Sequence, residues 1–388
     1  MTKIEAHQLT SQQVKPLRRT GTAELPLHYG NAPPWLFKRM AKLGECIIDI
    51  LTEEYGPQEI LTRLANPHWF QALSCVLGYD WHSSGTTTVT CAALKTALKP
   101  QEHSLAAAGG KGRFSRKTPE EITEIGKAFN WSDEEVCKLK YASRMSAKVD
   151  NTAIQAGYPL YHHMFFADST GKWLVIQQGI NSEDRTARRY HWLSDNVQSF
   201  VVEPHNAIVG DTVKKCVLNM TAQESEESRK ISVDLVKDGP EHFKRNIASM
   251  RPRHQETLRK WIDGARGEDY AVDFLSMPRR IDWEALRRAY ELRPRNYEEL
   301  IAVEGIGPAT VRGLALVSEV VYGEEPSWRD PVKYSFAYGG KDGVPFPVDR
   351  KAMDNSIAFL KDTLERAKMG DRERLQALKR LKQLTPKS

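Results

Sequence analysis

Leu36, Met40, Leu43, Ile47 and Leu51 recur at three- or four-residue spacing behind Pro34, which predicts a helix from Pro34 to about Tyr55. Pro57 can open a second, short helix through Leu64, and Asn66-Pro67 breaks it. A third helix covers Trp69–Leu77, Gly78–Gly85 reads as a loop, and Thr86–Leu98 continues as helix with small residues suited to close packing. Ala106–Pro119 reads as a glycine-rich basic loop running into a helix that begins near Thr118. Glu121, three residues on, completes a capping-box pattern. Another helix is predicted from Ser132 to Ala147.

The period changes after residue 150. Tyr161–Ala167 and Lys172–Gln178 are aromatic or β-branched runs separated by Asp168-Ser169-Thr170-Gly171, which predicts a β-hairpin. Val197–Glu203 reads as a third strand. Helices return from 222, with 241–325 helical and broken at Pro278 and Pro294, and 326–350 reads as a loop. The fold class expected is α+β, mainly helical, with a small central antiparallel hairpin or sheet and a C-terminal helical lobe. Four parts follow: a helical 1–140, a central α+β block 141–220, a helical 221–350 and a basic helix 351–388.

Composition narrows the setting. No apolar run reaches the length of a membrane span, and the N-terminus has no apolar signal core. The five cysteines form no Cys-x-x-Cys pair, which argues against a disulfide scaffold or a zinc finger and for a cytoplasmic, nucleoid-associated protein. Of the formal net charge of +6, residues 361–388 contribute nine Lys or Arg against four Asp or Glu. That balance suits a polyanion partner.

The most informative stretch is Tyr297–Ala315. Leu300, Ile301 and Val303 close a short apolar helix, Gly305-Ile306-Gly307 turns the chain, and Ala309, Val311, Leu314 and Ala315 open a second helix. This resembles a helix-hairpin-helix, which clamps the DNA backbone without reading sequence. In that reading Gly305 and Gly307 leave room for a phosphate, Ile306 plugs the gap, and Ala309, Thr310 and Arg312 stand where the second helix meets it. Lys111 and Arg113 in the glycine-rich segment suit further phosphate contacts, and the segment lacks the pattern of a nucleotide-hydrolysing P-loop.

Polar side chains are dense around the hairpin. Alternation puts His162 and His163 on opposite faces, and likewise Gln177 and Gln178, so one of each pair faces the core or a cleft. Lys148 and Asp150 share a face if their segment is extended. Lys148, Asp150, His162 and Gln178 are the candidate catalytic residues. Asp150, Glu203 and His162 are candidate ligands for Mg²⁺ or Mn²⁺.

The segments Arg18–His28, Ala32–Leu36, Trp81–Gly85, Ala108–Gly112, Ser143–Asn151 and Gln177–Gly179 together resemble a prokaryotic family labelled domain of unknown function 763. The resemblance covers about residues 15–350 and implies no catalytic residue. Residues 296–334 also resemble the helix-hairpin-helix DNA glycosylases. These keep a catalytic aspartate beyond the hairpin; Asp330 is similarly placed here, a few residues further on than their usual pattern, and Ala309 stands close to where bifunctional members keep a lysine. The function expected is a DNA-processing protein, a repair nuclease or glycosylase acting on double-stranded or damaged DNA with repair-protein partners and no membrane. The alternative is a non-catalytic DNA-binding architectural or recruiting protein.

Overall fold

The computed structural model describes residues 32–78, 85–210, 213–250, 277–278, 280–332, 350–367 and 370–384. Arg18, Arg19, the loop Tyr79–Ser84 and residues 333–349 lie outside them.

Helices α1 (Pro34–Tyr55), α2 (Pro57–Ala65), α3 (Pro67–Leu77) and α4 (Gly85–Ala97) form the first layer, each of the first three opened by a proline. Asn66 caps α3 by accepting from His68 N and Trp69 N, and Gly78 ends it in the left-handed region. After the short α5 (Pro100–His103), strand β1 (Leu105–Lys111) enters the sheet. Helices α6 (Thr118–Phe129) and α7 (Asp133–Thr152) follow, then β2 (Ile154–Gln155), β3 (Leu160–Asp168), β4 (Trp173–Asn181), β5 (Thr186–Leu193), β6 (Ala207–Gly210) and β7 (Leu218–Asn219). The chain continues with α8 (Glu226–Lys237), α9 (Pro240–Met250), α10 (Trp283–Leu292), α11 (Tyr297–Ala302) and α12 (Pro308–Tyr322). It ends with α13 (Arg350–Arg366) and α14 (Asp371–Leu384). The mainly helical α+β class is as expected.

One antiparallel sheet, in the order β1-β3-β4-β5-β6, stands between two helical layers. Met164, Phe166, Leu174, Ile176 and Leu193 pack into a core with α1–α4 and with Leu360, Leu364, Ala377 and Leu381 of α13 and α14. Phe165, Val175, Tyr190, Trp192 and Ile208 pack on the opposite face with α6, α7 and the helices from α8 to α12. The apolar stripe of the basic C-terminal helices is therefore docked on the first layer. Helices cover both sheet faces, so polar residues of the central strands are buried rather than solvated.

Four expectations need correction. Ala106–Lys111 is an edge strand, not a loop: it pairs with β3 from Leu105 opposite Asp168 to Lys111 opposite His162. Its Ala and Gly residues hide it from propensity, yet the closeness of the neighbours requires glycine at 109. Gly109 has φ +99°, and a Cβ there would collide with the His163 carbonyl. The capping box does not form, because Glu121 turns away to accept from Gly109 N at 2.6 Å and from Lys95 Nζ at 2.6 Å. Val197–Glu203 is not a strand. The third strand of the hairpin sheet is β5, whose buried Arg188, Arg189 and His191 mask its pattern. Finally, α7 runs on through Thr152, so Lys148 and Asp150 are helical and diverge by about 200°. The 140/141 division falls inside this helix.

Candidate functional site

Helix α7 and strand β3 meet at the β1 end of the sheet. Ser132 caps α7 by accepting from Glu135 N, and Asp133, Glu134 and Glu135 favour its N-terminus electrostatically. Its buried face carries Ser143, Ser146 and Asp150, spaced by three and four residues, against the β3–β4 ladder. In that ladder His163 stands opposite Gln177, and His162 opposite Gln178.

Two acceptors orient the resulting chain. Gln177 Nε2 donates to the Ser146 carbonyl at 2.9 Å and to Asp150 Oδ2, so Gln177 Oε1 must accept. The proton of that bond belongs to His163 Nδ1, 2.7 Å away. Burial lowers the His163 pKa against smaller opposing effects of Gln177 and Asp150, and keeps the ring neutral. Its Nε2 is then an acceptor, and Ser143 Oγ–H donates to it at 2.8 Å. Behind Gln177, Asp150 also accepts from Trp192 Nε1 at 3.0 Å and from His205 Nε2. Five side chains thus form one ordered run from Ser143 to His205, which can move a proton between Ser143 and His163.

Ser143 and His163 line a cavity of about 560 Å³, shared with Arg116, Lys140, Tyr141 and Arg144. The turn Gly112–Lys117 flanks it and exposes Arg113, Arg116, Lys117 and the ring of Phe114, next to the exposed Lys111 at the end of β1. Lys111 Nζ lies 5.9 Å from the Tyr161 ring centre, and the Arg144 guanidinium 5.5 Å from that of Tyr141. Lys140, Arg144 and Lys148 repeat at four-residue spacing, so one row of cations leads away from the cavity along α7.

That row ends at the α11–α12 turn. Lys148 Nζ donates to the Val303 carbonyl at 3.2 Å, and Tyr141 Oη donates to Glu298 Oε1 at 2.8 Å. The Lys148 pKa is lowered by burial first and by Arg144 second. In the turn, Ile306 is fully buried, and Arg288 Nη2 donates to the Glu304 carbonyl at 2.9 Å. Gly305 has φ +87°, and a Cβ there would meet Ala285 Cβ at 2.7 Å, so its reason for being glycine lies inward. Gly307 faces open space: a Cβ there would have only the Gly305 carbonyl oxygen near it, at 3.8 Å. No side chain caps α12 at Gly307; Ala309 is half-buried and Thr310 buried in its first turn. Arg312 stacks over Trp328 at 5.6 Å and reaches Gln155 at 3.5 Å.

The remaining candidates lie apart. His162 is buried on the other sheet face at the cavity wall, and neither ring nitrogen has a partner among the described residues. Burial, then His163 and Lys111, lower its pKa to about 3. Gln178 donates to Tyr161 Oη at 2.7 Å on that same face. Glu203 is exposed at φ +41°. Asp150, His162 and Glu203 therefore do not converge on one point, and no group of three possible metal-binding side chains is assembled among the described residues. Asp330 has a fully buried carboxylate that pairs with Arg188 at 2.7 Å and accepts from Lys214 N and Val332 N. It is not part of the cavity wall.

His163 and Gln177, rather than the expected members His162 and Gln178 of the two pairs, carry the run; Ser143 was not expected at all, although the spacing of Ser143, Ser146 and Asp150 marks one helical face. A family model matches residues 21–348, which include both the cavity and the turn. The chain belongs to the family described as protein of unknown function (DUF763). No curated protein and no solved structure matches it. Among the described residues no helix is long and apolar enough to cross a membrane.

Proposed function

We propose that this protein binds DNA through its phosphate backbone and acts on that backbone at the α7 cavity, in the manner of a repair nuclease. The row Lys140–Arg144–Lys148, joining the cavity to the α11–α12 turn, carries the reading. Eight residues of helix span about 12 Å, room for several nucleotides at roughly 3.4 Å rise per strand. The exposed cations of the Gly112–Lys117 turn extend the same positive surface, and Phe114 offers a face for an unpaired base.

At the far end, α11 and α12 act as the helix-hairpin-helix. The open face of Gly307 and the uncapped first turn of α12 receive a phosphate, with Ala309 and Thr310 supplying amides. Backbone cleavage is favoured over glycosidic cleavage, because the Asp330 carboxylate is committed to Arg188 and two backbone amides.

Binding of duplex, single-stranded and branched DNA and of RNA, measured across salt concentrations, tests the reading. Arg144→Glu should weaken DNA binding irrespective of sequence and flatten the dependence of log K on log salt by about one. A cleavage panel run in EDTA, Mg²⁺ and Mn²⁺ separates a nuclease from a non-catalytic architectural protein, which would bind and leave every strand intact. Binding unchanged by Arg144→Glu would remove the α7 row from the interface.

A further inference from the structure

Helical serines and threonines usually turn their hydroxyls back on the preceding turn, as Ser74, Ser232 and Thr363 do here toward the carbonyls four residues before them. Ser143 does not. Its hydroxyl leaves the helix and donates across to His163 Nε2 at 2.8 Å, at the wall of a cavity that also holds Arg116, Lys140 and Arg144. The far side of the imidazole is fixed by Gln177, which Asp150 and the Ser146 carbonyl hold in one amide orientation. A hydroxyl on an oriented imidazole, with cations around the space in front of it, is the arrangement of an activated nucleophile facing an anion.

We infer that Ser143 is a catalytic nucleophile, with His163 its general base and Gln177 and Asp150 positioning residues, acting on a phosphodiester. This deepens the backbone-processing reading and depends on it for the substrate class alone. Ser143 Oγ forms a bond to phosphorus as its proton passes to His163 Nε2. The phosphorus–oxygen bond to the leaving sugar breaks on the opposite side, and that oxygen takes a proton from a cavity water. The hydroxide left behind attacks the phosphoserine in line. Ser143 Oγ departs and recovers its proton from His163. One water is consumed, and an alcohol and a phosphomonoester are released. Arg116, Lys140 and Arg144 face the charge that develops on the phosphoryl oxygens.

The experiment uses the full-length chain and an uncharged organophosphorus fluoride, which phosphorylates activated serines without needing to resemble DNA. Peptide mass mapping should find the adduct on Ser143 ahead of the chain's other serines, and none there in Ser143→Ala. His163→Gln should slow labelling by about a hundredfold, the usual scale of a lost general base. No adduct on Ser143 of the unaltered, folded chain overturns the proposal without recourse to any variant. Equal labelling rates in the parent and in folded His163→Gln overturn the role of His163 and with it the proposed pair. Labelling is also measured on Arg144→Glu and with duplex DNA as competitor. If Ser143 labels but the parent binds no nucleic acid, the nucleophile stands and the phosphodiester assignment falls.

Discussion

Lys148 on α7 donates from Nζ to the carbonyl of Val303, 3.2 Å away, at the residue that ends α11. The helix bearing Ser143 is thereby tied to the turn that opens α12. Lys148→Met keeps the stem and loses the charge and the bond. It should lower stability by about 1 kcal/mol, the ordinary net worth of one hydrogen bond, in a denaturant titration. DNA affinity should fall at low salt and the difference should shrink at high salt. Equal affinity to the parent at low salt would exclude Lys148 from the interface.

The two glycines of the turn should respond differently. Gly305→Ala places a Cβ against Ala285 in a left-handed conformation, so the expected result is a fall in melting temperature. Gly307→Glu points into open space, so it should fold like the parent and bind duplex DNA more weakly. A normally folded Gly307→Glu protein with parental affinity would remove the hairpin from the DNA-binding surface.

Asp150→Asn should be costly to the fold. The carboxylate accepts from Gln177, Trp192 and His205, and an amide at this place turns a donor toward one of those donors. A loss of roughly 2–4 kcal/mol is expected for such a buried charged acceptor, read as a lowered denaturant midpoint. DNA affinity measured below the transition should be nearly unaltered. A variant as stable as the parent would show that the network does not depend on the charge.

Asp330→Asn should act through Arg188, whose guanidinium would keep its charge in a fully buried site without its carboxylate. Removing one partner of such a pair typically costs about 3–5 kcal/mol. The calorimetric transition should drop accordingly. A selective loss of activity at full stability would instead favour the glycosylase role for this residue.

Acid should unfold the protein through its buried histidines. His162, His163 and His191 all have pKa values lowered chiefly by burial, that of His162 to about 3. In the unfolded chain each protonates near 6.5. Below that pH the unfolded state binds more protons than the folded state, so stability is complete above about 6.5 and is lost as pH falls. Between about pH 6.5 and 3, His162 steepens the loss by up to about 1.4 kcal/mol per pH unit, and His163 and His191 act in the same direction. Denaturant midpoints at pH 7.5, 6 and 5 should decline, and His162→Gln should make the decline shallower. Identical slopes for parent and variant would mean that His162 titrates alike in both states.

Local chemistry alone determined much of the helical frame. Pro34, Pro57 and Asn66-Pro67 start or stop helices by fixing φ or removing a donor, and the apolar spacing of Met40, Ile47 and Leu51 selects the buried face of α1. The β3–β4 hairpin was equally legible from its turn, as was the α11–turn–α12 unit. What the tertiary structure decided is where polar groups are buried. With helices on both faces of the sheet, the two-residue period of β5 carries Arg188, Arg189 and His191 inside, and alternation no longer separates core from solvent. β1 is a strand because it pairs with β3, some fifty residues further along the chain, and the closeness of the His163 carbonyl leaves room only for glycine at 109. The Ser143–His163 pair has the same origin. It spans a helix and a strand whose contact depends on folding, and the continuation of α7 past Ala147 through Thr152 turns Lys148 and Asp150 from neighbours into opposite faces.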